Sequence, residues 1–155
     1  MSLDFRVRLK ATIQSEQETS DFMKSILPFL QKNSILLLSG DLGAGKTTSV
    51  RYLCEHYGVK HVQSPTYAIH QLYSAANMAI DHFDLYRLQS EEELVSTGFW
   101  DLLQNQNSLM IIEWFERIPT TDWLEFEKQK RSVFGLKIEL QSESQKRLFH
   151  FVELQ

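Results

Sequence analysis

Two stretches of consecutive apolar residues predict strands that are buried on both faces. The first covers residues 35–39 and the second covers residues 109–112. Neither alternates apolar with polar positions, as a strand with one solvent-facing side would. Strands at the centre of a parallel sheet have this character, because helices cover both sides of the sheet. These two stretches therefore predict the centre of an α/β fold.

Three other stretches repeat apolar residues at helical spacing. The first follows a capping box at residues 15–18 and contains Pro28, which is expected to bend or shorten it. The second follows the glycine-rich segment 40–47. The third follows a capping box at residues 90–93 and is expected to break at Gly98. The order of strands and helices agrees with an α/β fold.

The remaining strands are predicted from alternation and from apolar runs that lie between turn residues. They cover residues 5–10, 67–73, 79–85, 133–140 and 147–154, and the last two are the arms of a hairpin. The polar stretch 125–132 is predicted to be a loop. The fold class predicted for residues 1–155 is a single α/β domain, P-loop NTPase-like, with a central mostly parallel sheet flanked by helices and a C-terminal antiparallel hairpin.

Charge and composition narrow the function classes. The formal net charge of −4 disfavours direct gripping of nucleic acid, because that affinity depends on Lys and Arg neutralising phosphates. The single cysteine, Cys54, has no internal disulfide partner and is expected to be buried. No apolar run approaches the roughly 20 residues of a membrane-spanning helix. We therefore expect a cytoplasmic protein that makes no membrane contact.

The segment 40–47 has the spacing of a phosphate-binding Walker A loop, with four residues between Gly40 and Gly45 and with Lys46 and Thr47 directly after Gly45. Its glycines allow backbone N–H groups to converge on phosphate oxygens, and the helix that follows adds positive potential at its N-terminus. Lys46 is expected to reach the outer phosphates and Thr47 to ligate Mg²⁺. The sequence therefore predicts a site for ATP or ADP with Mg²⁺.

Further candidate residues lie in the predicted strands or next to them. Glu113 ends the second apolar run, where a second Mg²⁺-associated acid is expected. Asp84 is placed to orient or deprotonate the attacking water, or to hold a metal-bound water. Its neighbour His82 is expected to be structural. Thr66, in an extended loop after the second helix, is a candidate sensor of the terminal phosphate.

Five segments together resemble the TsaE family, the bacterial ATPases required to make threonylcarbamoyladenosine in tRNA. They are Gly-Asp-Leu-Gly-Ala-Gly-Lys-Thr-Thr at 40–48, Ser-Pro-Thr-Tyr at 64–67, His-Phe-Asp-Leu-Tyr-Arg-Leu at 82–88, Glu-Glu-Leu at 92–94 and Ile-Glu-Trp at 112–114. The resemblance extends over residues 13–118. Segment 123–134 matches no motif of the family, and its role is open.

The resemblance implies a role for each matching residue. Thr47 and Glu113 correspond to the Mg²⁺ ligands, Asp84 to the essential catalytic acid, and Thr66 to the switch beside the nucleotide. Lys46, Asp84 and Thr66 form the predicted catalytic set. The predicted nucleotide-binding set is Gly40, Asp41, Leu42, Gly43, Ala44, Gly45, Lys46, Thr47, Thr48, Glu16, Thr19 and Trp114, of which Glu16 and Thr19 are expected near the adenine.

The resemblance also implies partners. Members of this family bind the TsaD–TsaB pair, and their ATP hydrolysis is thought to reset that complex between turnovers. Contact with tRNA is then only indirect, through the complex, which agrees with the acidic composition. Hydrolysis by the isolated chain is expected to be weak and to be stimulated by the partners.

Two other function classes remain open at the level of sequence. One is a small-molecule P-loop kinase, although the scattered arginines Arg51, Arg87 and Arg117 form no obvious lid. The other is a non-enzymatic interaction module that uses bound nucleotide only for its shape. A GTPase is disfavoured, because no Asn-Lys-x-Asp motif for reading guanine is present.

Overall fold

The computed structural model describes residues 4–63, 65 and 67–155, and the strands of this part of the chain form one seven-stranded sheet. The strands are β1 (Phe5–Ile13), β2 (Ser34–Ser39), β3 (His70–Ser74), β4 (Ala79–Asp84), β5 (Ser108–Glu113), β6 (Ser132–Leu140) and β7 (Arg147–Leu154). The helices are α1 (Glu16–Ile26), α2 (Lys46–His56), α3 (Glu91–Ser96), α4 (Phe99–Gln104) and α5 (Trp123–Lys128). Short 3₁₀ turns cover Leu27–Phe29, Phe115–Arg117 and Thr120–Asp122.

The sheet is mixed, with the strand order β1-β7-β6-β2-β5-β4-β3. The four central strands, β6, β2, β5 and β4, are parallel to one another. The outer pairings β1–β7, β7–β6 and β4–β3 are antiparallel. The prediction of a mostly parallel sheet was therefore wrong outside the centre, because short turns join β3 to β4 and β6 to β7 and only antiparallel strands accept such connections. The predicted C-terminal hairpin is confirmed as β6–β7.

Two apolar cores cover the two faces of the sheet, and β2 contributes to both. Leu36 and Leu38 face the core formed with α1 and α2, whereas Ile35 and Leu37 face the core formed with α3, α4 and α5. Successive side chains of a strand point to opposite faces, so a strand between two helical layers has apolar residues at every position. The predicted burial of β2 on both faces is confirmed. In the described part of the chain, no helix is both long enough and apolar enough to cross a membrane.

Most element boundaries agree with their local signals. Helix α1 ends at Ile26, and Pro28 lies in the 3₁₀ turn that follows. Gly98 separates α3 from α4 with a left-handed φ of 78°. The strand predicted over 67–73 instead begins at His70, because the chain turns before it and Ile69 has a φ of 65°.

The polar stretch 125–132 was predicted to be a loop, but its first part belongs to helix α5. Phe126 is buried, and its ring lies 5.6 Å from that of Trp123 and 6.2 Å from that of Phe99. These contacts fix one face of a helix whose other positions are polar apart from the exposed Leu124. Packing against the second core therefore decides the local structure, as tertiary contacts commonly do when helix propensity is weak.

Arg131 is buried directly before β6, and among the described residues its guanidinium binds only backbone groups. It donates hydrogen bonds to the carbonyl oxygens of Asn33, Ser34, Leu102, Leu103, Asn105 and Ser108. Burial lowers the pKa of Arg131 to about 10, so the side chain stays positively charged at neutral pH. Arg131 thus ties the end of α4 to the beginnings of β2 and β5.

Arg131→Met is expected to lower the free energy of unfolding by about 3 kcal/mol, because buried carbonyl groups lose their donors. Urea denaturation followed by circular dichroism measures the change. Arg117→Met provides the control, since Arg117 is exposed and its loss is expected to change little. Equal stability of the two variants would show that Arg131 is not a structural tie.

Candidate functional site

Three parallel strands end at the same edge of the sheet, and most of the predicted site residues lie there. Glu113, the last residue of β5, is paired with Leu38 of β2 on one side and with Asp84 of β4 on the other. The glycine-rich loop leaves β2 at this edge and leads into α2, which begins at Lys46. The carboxyl ends of parallel strands are where α/β proteins bind ligands.

The conformation of the loop requires its glycines. Gly40, Gly43 and Gly45 have φ angles of 151°, 79° and 110°, values that residues with a Cβ rarely adopt. A Cβ on Gly40 would also lie 2.6 Å from the carbonyl oxygen of Ile138 on β6. The absence of side chains at these positions therefore lets other groups come close to the backbone of the loop. Gly45 caps the N-terminus of α2, where the first N–H groups of the helix have no partner within it.

The ammonium group of Lys46 lies within the curve of the loop. Its Nζ donates to the carbonyl oxygens of Gly40, at 2.5 Å, and Asp41, at 3.0 Å, and lies 4.0 Å from the ring centroid of Trp114. Burial lowers the pKa of Lys46, and the nearby carboxylate of Glu113 partly opposes that shift. Among the described residues no carboxylate lies within ion-pair distance of Nζ, so its charge is available to an anionic ligand.

Glu113 is buried and bridges two side chains from different elements. Its Oε2 accepts a hydrogen bond from Thr47 Oγ1 at 2.9 Å, and its Oε1 lies 2.8 Å from His82 Nε2. Thr47 and Glu113 thus place a hydroxyl and a carboxylate oxygen side by side at the mouth of the loop. Within the described chain no cluster of three or more His, Cys, Asp or Glu side chains is arranged to hold a metal.

His82, predicted to be structural, is fully buried and holds Glu113 through this contact. His82→Ala is expected to lower the free energy of unfolding by about 3 kcal/mol, because it removes one of the two partners of a buried carboxylate. Urea denaturation of the single variants His82→Ala and Glu113→Gln and of the double variant measures the coupling between the two side chains. Additive effects in this cycle would show that the His82–Glu113 contact contributes no stability.

Asp84 lies in the same pocket, one strand further along the sheet. Asp84 is buried, and its Oδ1 accepts a hydrogen bond from the backbone N–H of Tyr86 at 3.0 Å. Its own backbone N–H donates to the carbonyl oxygen of Ile69 at 2.9 Å. These contacts fix the carboxylate at the end of β4. The ring of Tyr86 lies 5.0 Å from that of Trp114, so the two aromatic side chains form part of the wall.

The pocket has a volume of about 410 Å³ and contains both cationic and anionic groups. It is lined by Leu42, Gly43, Gly45, Lys46, Thr47, Thr48, Asp84, Tyr86, Arg87, Glu113, Trp114 and Arg147. Nine of these twelve residues belong to the predicted site, and Asp84 is among them. The structure thus brings residues from separate parts of the sequence into one pocket, and their roles there stay predictions.

Other predicted residues lie outside the pocket lining. Glu16 on α1 accepts a hydrogen bond from the hydroxyl of Tyr52 at 2.8 Å, and Thr19 donates to the carbonyl of Ser15 at 3.2 Å. Contact of Glu16 and Thr19 with adenine stays a prediction. Gly40 and Asp41 contribute carbonyl groups to Lys46, and Ala44 is buried within the loop. Thr66 lies outside the described residues.

Arg147 was not found from the sequence. It begins β7, and its Nε donates to the carbonyl oxygen of Ala44 at 2.8 Å. Nothing in the local pattern distinguishes this arginine from others at strand ends. Only the pairing of β7 between β1 and β6 brings it to the loop.

The fold and this edge of the sheet define the class. This is an α/β protein in which a glycine-rich loop joins a buried parallel strand to a helix, beside two strand-end carboxylates. The family model described as "Threonylcarbamoyl adenosine biosynthesis protein TsaE" matches residues 13–148. The chain therefore belongs to the TsaE family, which confirms the resemblance seen in the motifs. The match continues past residue 118, where the resemblance ends, and reaches the C-terminal hairpin.

Individual relatives agree with the family model. A Rickettsia typhi protein named tRNA threonylcarbamoyladenosine biosynthesis protein TsaE is 42% identical over 109 residues, covering 69% of this chain and 74% of the relative. A Haemophilus influenzae protein of the same name is 44% identical over 99 residues, covering 61% and 62%. The crystal structure of YdiB from Bacillus subtilis superposes with a TM-score of 0.70 at 22% identity, covering 100% of this chain and 89% of YdiB. That structure supports the fold.

Proposed function

We propose that this chain is a P-loop ATPase that binds ATP or ADP together with Mg²⁺ in the pocket at the end of β2. The observation that carries the proposal is the hydrogen bond between Thr47 and Glu113 beside the glycine-rich loop. A P-loop site needs a hydroxyl at the start of the helix and an acid at the end of a neighbouring strand. Both are present and in contact.

The residues fit a nucleotide with a metal ion. The backbone of the loop and the ammonium group of Lys46 suit phosphate oxygens, since Nζ contacts neutral carbonyl groups and the Trp114 ring and forms no ion pair within the described part of the chain. Thr47 and Glu113 would hold Mg²⁺, which takes few protein ligands when phosphates and water supply the rest. Bound Mg²⁺ would supply charge neutralisation of the phosphates.

The catalytic part of the proposal concerns Asp84. Its carboxylate is fixed by the N–H of Tyr86 and faces the pocket that also holds Lys46 and Glu113. A carboxylate in this position orients a water molecule or accepts its proton. Trp114 and Tyr86 restrict the access of solvent, and Lys46 stabilises negative charge through its ammonium group.

The proposed cellular role is in the biosynthesis of threonylcarbamoyladenosine in tRNA, in the cytoplasm. The names of the family and of its relatives support that pathway. In this role the chain binds TsaD and TsaB and its ATP hydrolysis resets their transferase complex between turnovers. The net charge of −4 agrees with contact to tRNA only through the complex.

Phosphate release measured with and without TsaD and TsaB from the same source tests this role. Slow release by the isolated chain and an increase of about tenfold or more with the partners is expected. Co-purification of TsaD and TsaB with the tagged chain, compared with and without ATP, tests the association. Efficient phosphoryl transfer to a nucleoside or small metabolite would instead identify a kinase and overturn the proposal.

A further inference from the structure

Arg147 links the C-terminal hairpin to the glycine-rich loop. It is the first residue of β7 and is paired with Ile13 of β1 and with Leu140 of β6. Its Nε donates to the carbonyl oxygen of Ala44 at 2.8 Å. Its Nε and Cδ lie 3.6 Å and 3.8 Å from the position that a Cβ on Gly45 would occupy. The side chain therefore lies against the loop where the loop becomes α2.

Among the described residues, no carboxylate forms an ion pair with Arg147. Arg8 and Arg51, in contrast, each pair with a glutamate. A guanidinium group has five N–H donors. In the part of the chain that the structure describes, Arg147 uses only its Nε, so its terminal nitrogens retain their hydrogen-bonding capacity.

The position of these terminal nitrogens matters because Arg147 lines the pocket together with Lys46 and Thr48. The bond from Nε to Ala44 fixes the planar group on one side. Less conformational entropy is then lost when the remaining donors bind an anion. A half-buried, unneutralised guanidinium beside a phosphate-binding loop is suited to phosphate oxygens, which arginine binds with charge-assisted hydrogen bonds.

We propose that Arg147 is a nucleotide-binding residue, whose Nε anchors the loop through Ala44 and whose terminal nitrogens bind phosphate oxygens of the nucleotide. This inference rests on the proposed ATP site for the identity of the ligand. It adds the C-terminal hairpin to a site that otherwise consists of β2, α2, β4 and β5. The hairpin contributes one residue, 103 positions after the carbonyl that it holds.

Calorimetric titration of wild type, Arg147→Gln and Arg147→Lys with ATP, ADP and inorganic tripolyphosphate tests the inference. Arg147→Gln is expected to weaken binding of all three ligands by about 10-fold, because tripolyphosphate contains the recognised group without the base. Arg147→Lys is expected to recover only part of the affinity, since lysine keeps the charge but loses the anchored fork. Arg117→Gln, at an exposed position, is the matched control.

The outcomes separate this inference from the proposed function. Wild-type affinity in both Arg147 variants would overturn the inference and leave the ATP site standing. A loss confined to ATP and ADP, with normal tripolyphosphate binding, would overturn it by assigning Arg147 to the base or ribose. Failure of the folded wild-type chain to bind any of the ligands would overturn the ATP site and the inference together. Thermal melts of each ligand-free variant, Arg147→Lys in particular, confirm that the compared chains are folded.

Discussion

Asp84→Asn is expected to reduce ATP turnover by about 10²- to 10⁴-fold while ATP affinity stays close to that of wild type. Asparagine keeps the size of the side chain and an oxygen that accepts from the N–H of Tyr86. It removes the negative charge and the ability to accept a proton from water. Because β5 lies between β4 and β2 in the sheet, loss of the Asp84 charge leaves the hydrogen bonds of Lys46 intact.

Two measurements on the same preparations check this expectation. Phosphate release, in the presence of TsaD and TsaB, gives the turnover, and calorimetry with ATP gives the affinity. Asp101→Asn, an exposed substitution on α4, controls for the change in net charge. Turnover equal to wild type would remove Asp84 from the catalytic mechanism. If the complex with TsaD and TsaB worked equally well with wild type and with Asp84→Asn, the result would favour an interaction module that uses the nucleotide only for its shape.

Lys46→Ala is expected to weaken ATP binding by about 100-fold. The ammonium group is buried in the curve of the loop, and its charge has no carboxylate within ion-pair distance among the described residues. Alanine removes the cation and its donors while α2 keeps a residue of high helix propensity. Calorimetric titration with ATP in excess Mg²⁺ measures the change.

The control for Lys46→Ala is Lys60→Ala, which removes the same charge from an exposed position after α2. It is expected to bind ATP as wild type does. A thermal melt of ligand-free Lys46→Ala shows whether the loop still folds without its lysine. Unchanged ATP affinity in a folded Lys46→Ala chain would mean that the nucleotide, if bound, lies elsewhere.

The centre of the sheet could be predicted because its signal is local. β2 and β5 are apolar runs of strand length between turn residues, and burial on both faces of the sheet accounts for their lack of alternation. The pairing of the antiparallel outer strands was harder to predict. β1 is paired with β7, near the opposite end of the chain, and alternation along β1 carries no information about which strand is its neighbour.

The same distinction applies to the site. Glu113 was predicted because it ends an apolar run, and Asp84 because it lies on a predicted strand and in a motif shared with the TsaE family. The ends of β4 and β5 meet at one edge of the sheet. The contact between His82 and Glu113 depends on the register of β4 against β5, and a shift of one residue would turn His82 to the other face. The contact between Arg147 and Ala44, which lie 103 positions apart, depends on the pairing of β7 with β1 and β6. Sequence patterns identify residue types at the ends of elements, whereas these contacts require the assembled sheet.

The central claim is that Thr47, Glu113 and the glycine-rich loop form a site for ATP with Mg²⁺. Calorimetric titration of the wild-type chain with ATP, in Mg²⁺ and in EDTA, tests it most directly, with Glu113→Gln measured alongside. We expect a single ATP to bind per chain, more tightly with Mg²⁺ than without, and Glu113→Gln to lose that Mg²⁺ effect. A folded wild-type chain that binds no ATP, or that binds it equally with and without Mg²⁺, would overturn the proposed ATP and Mg²⁺ site.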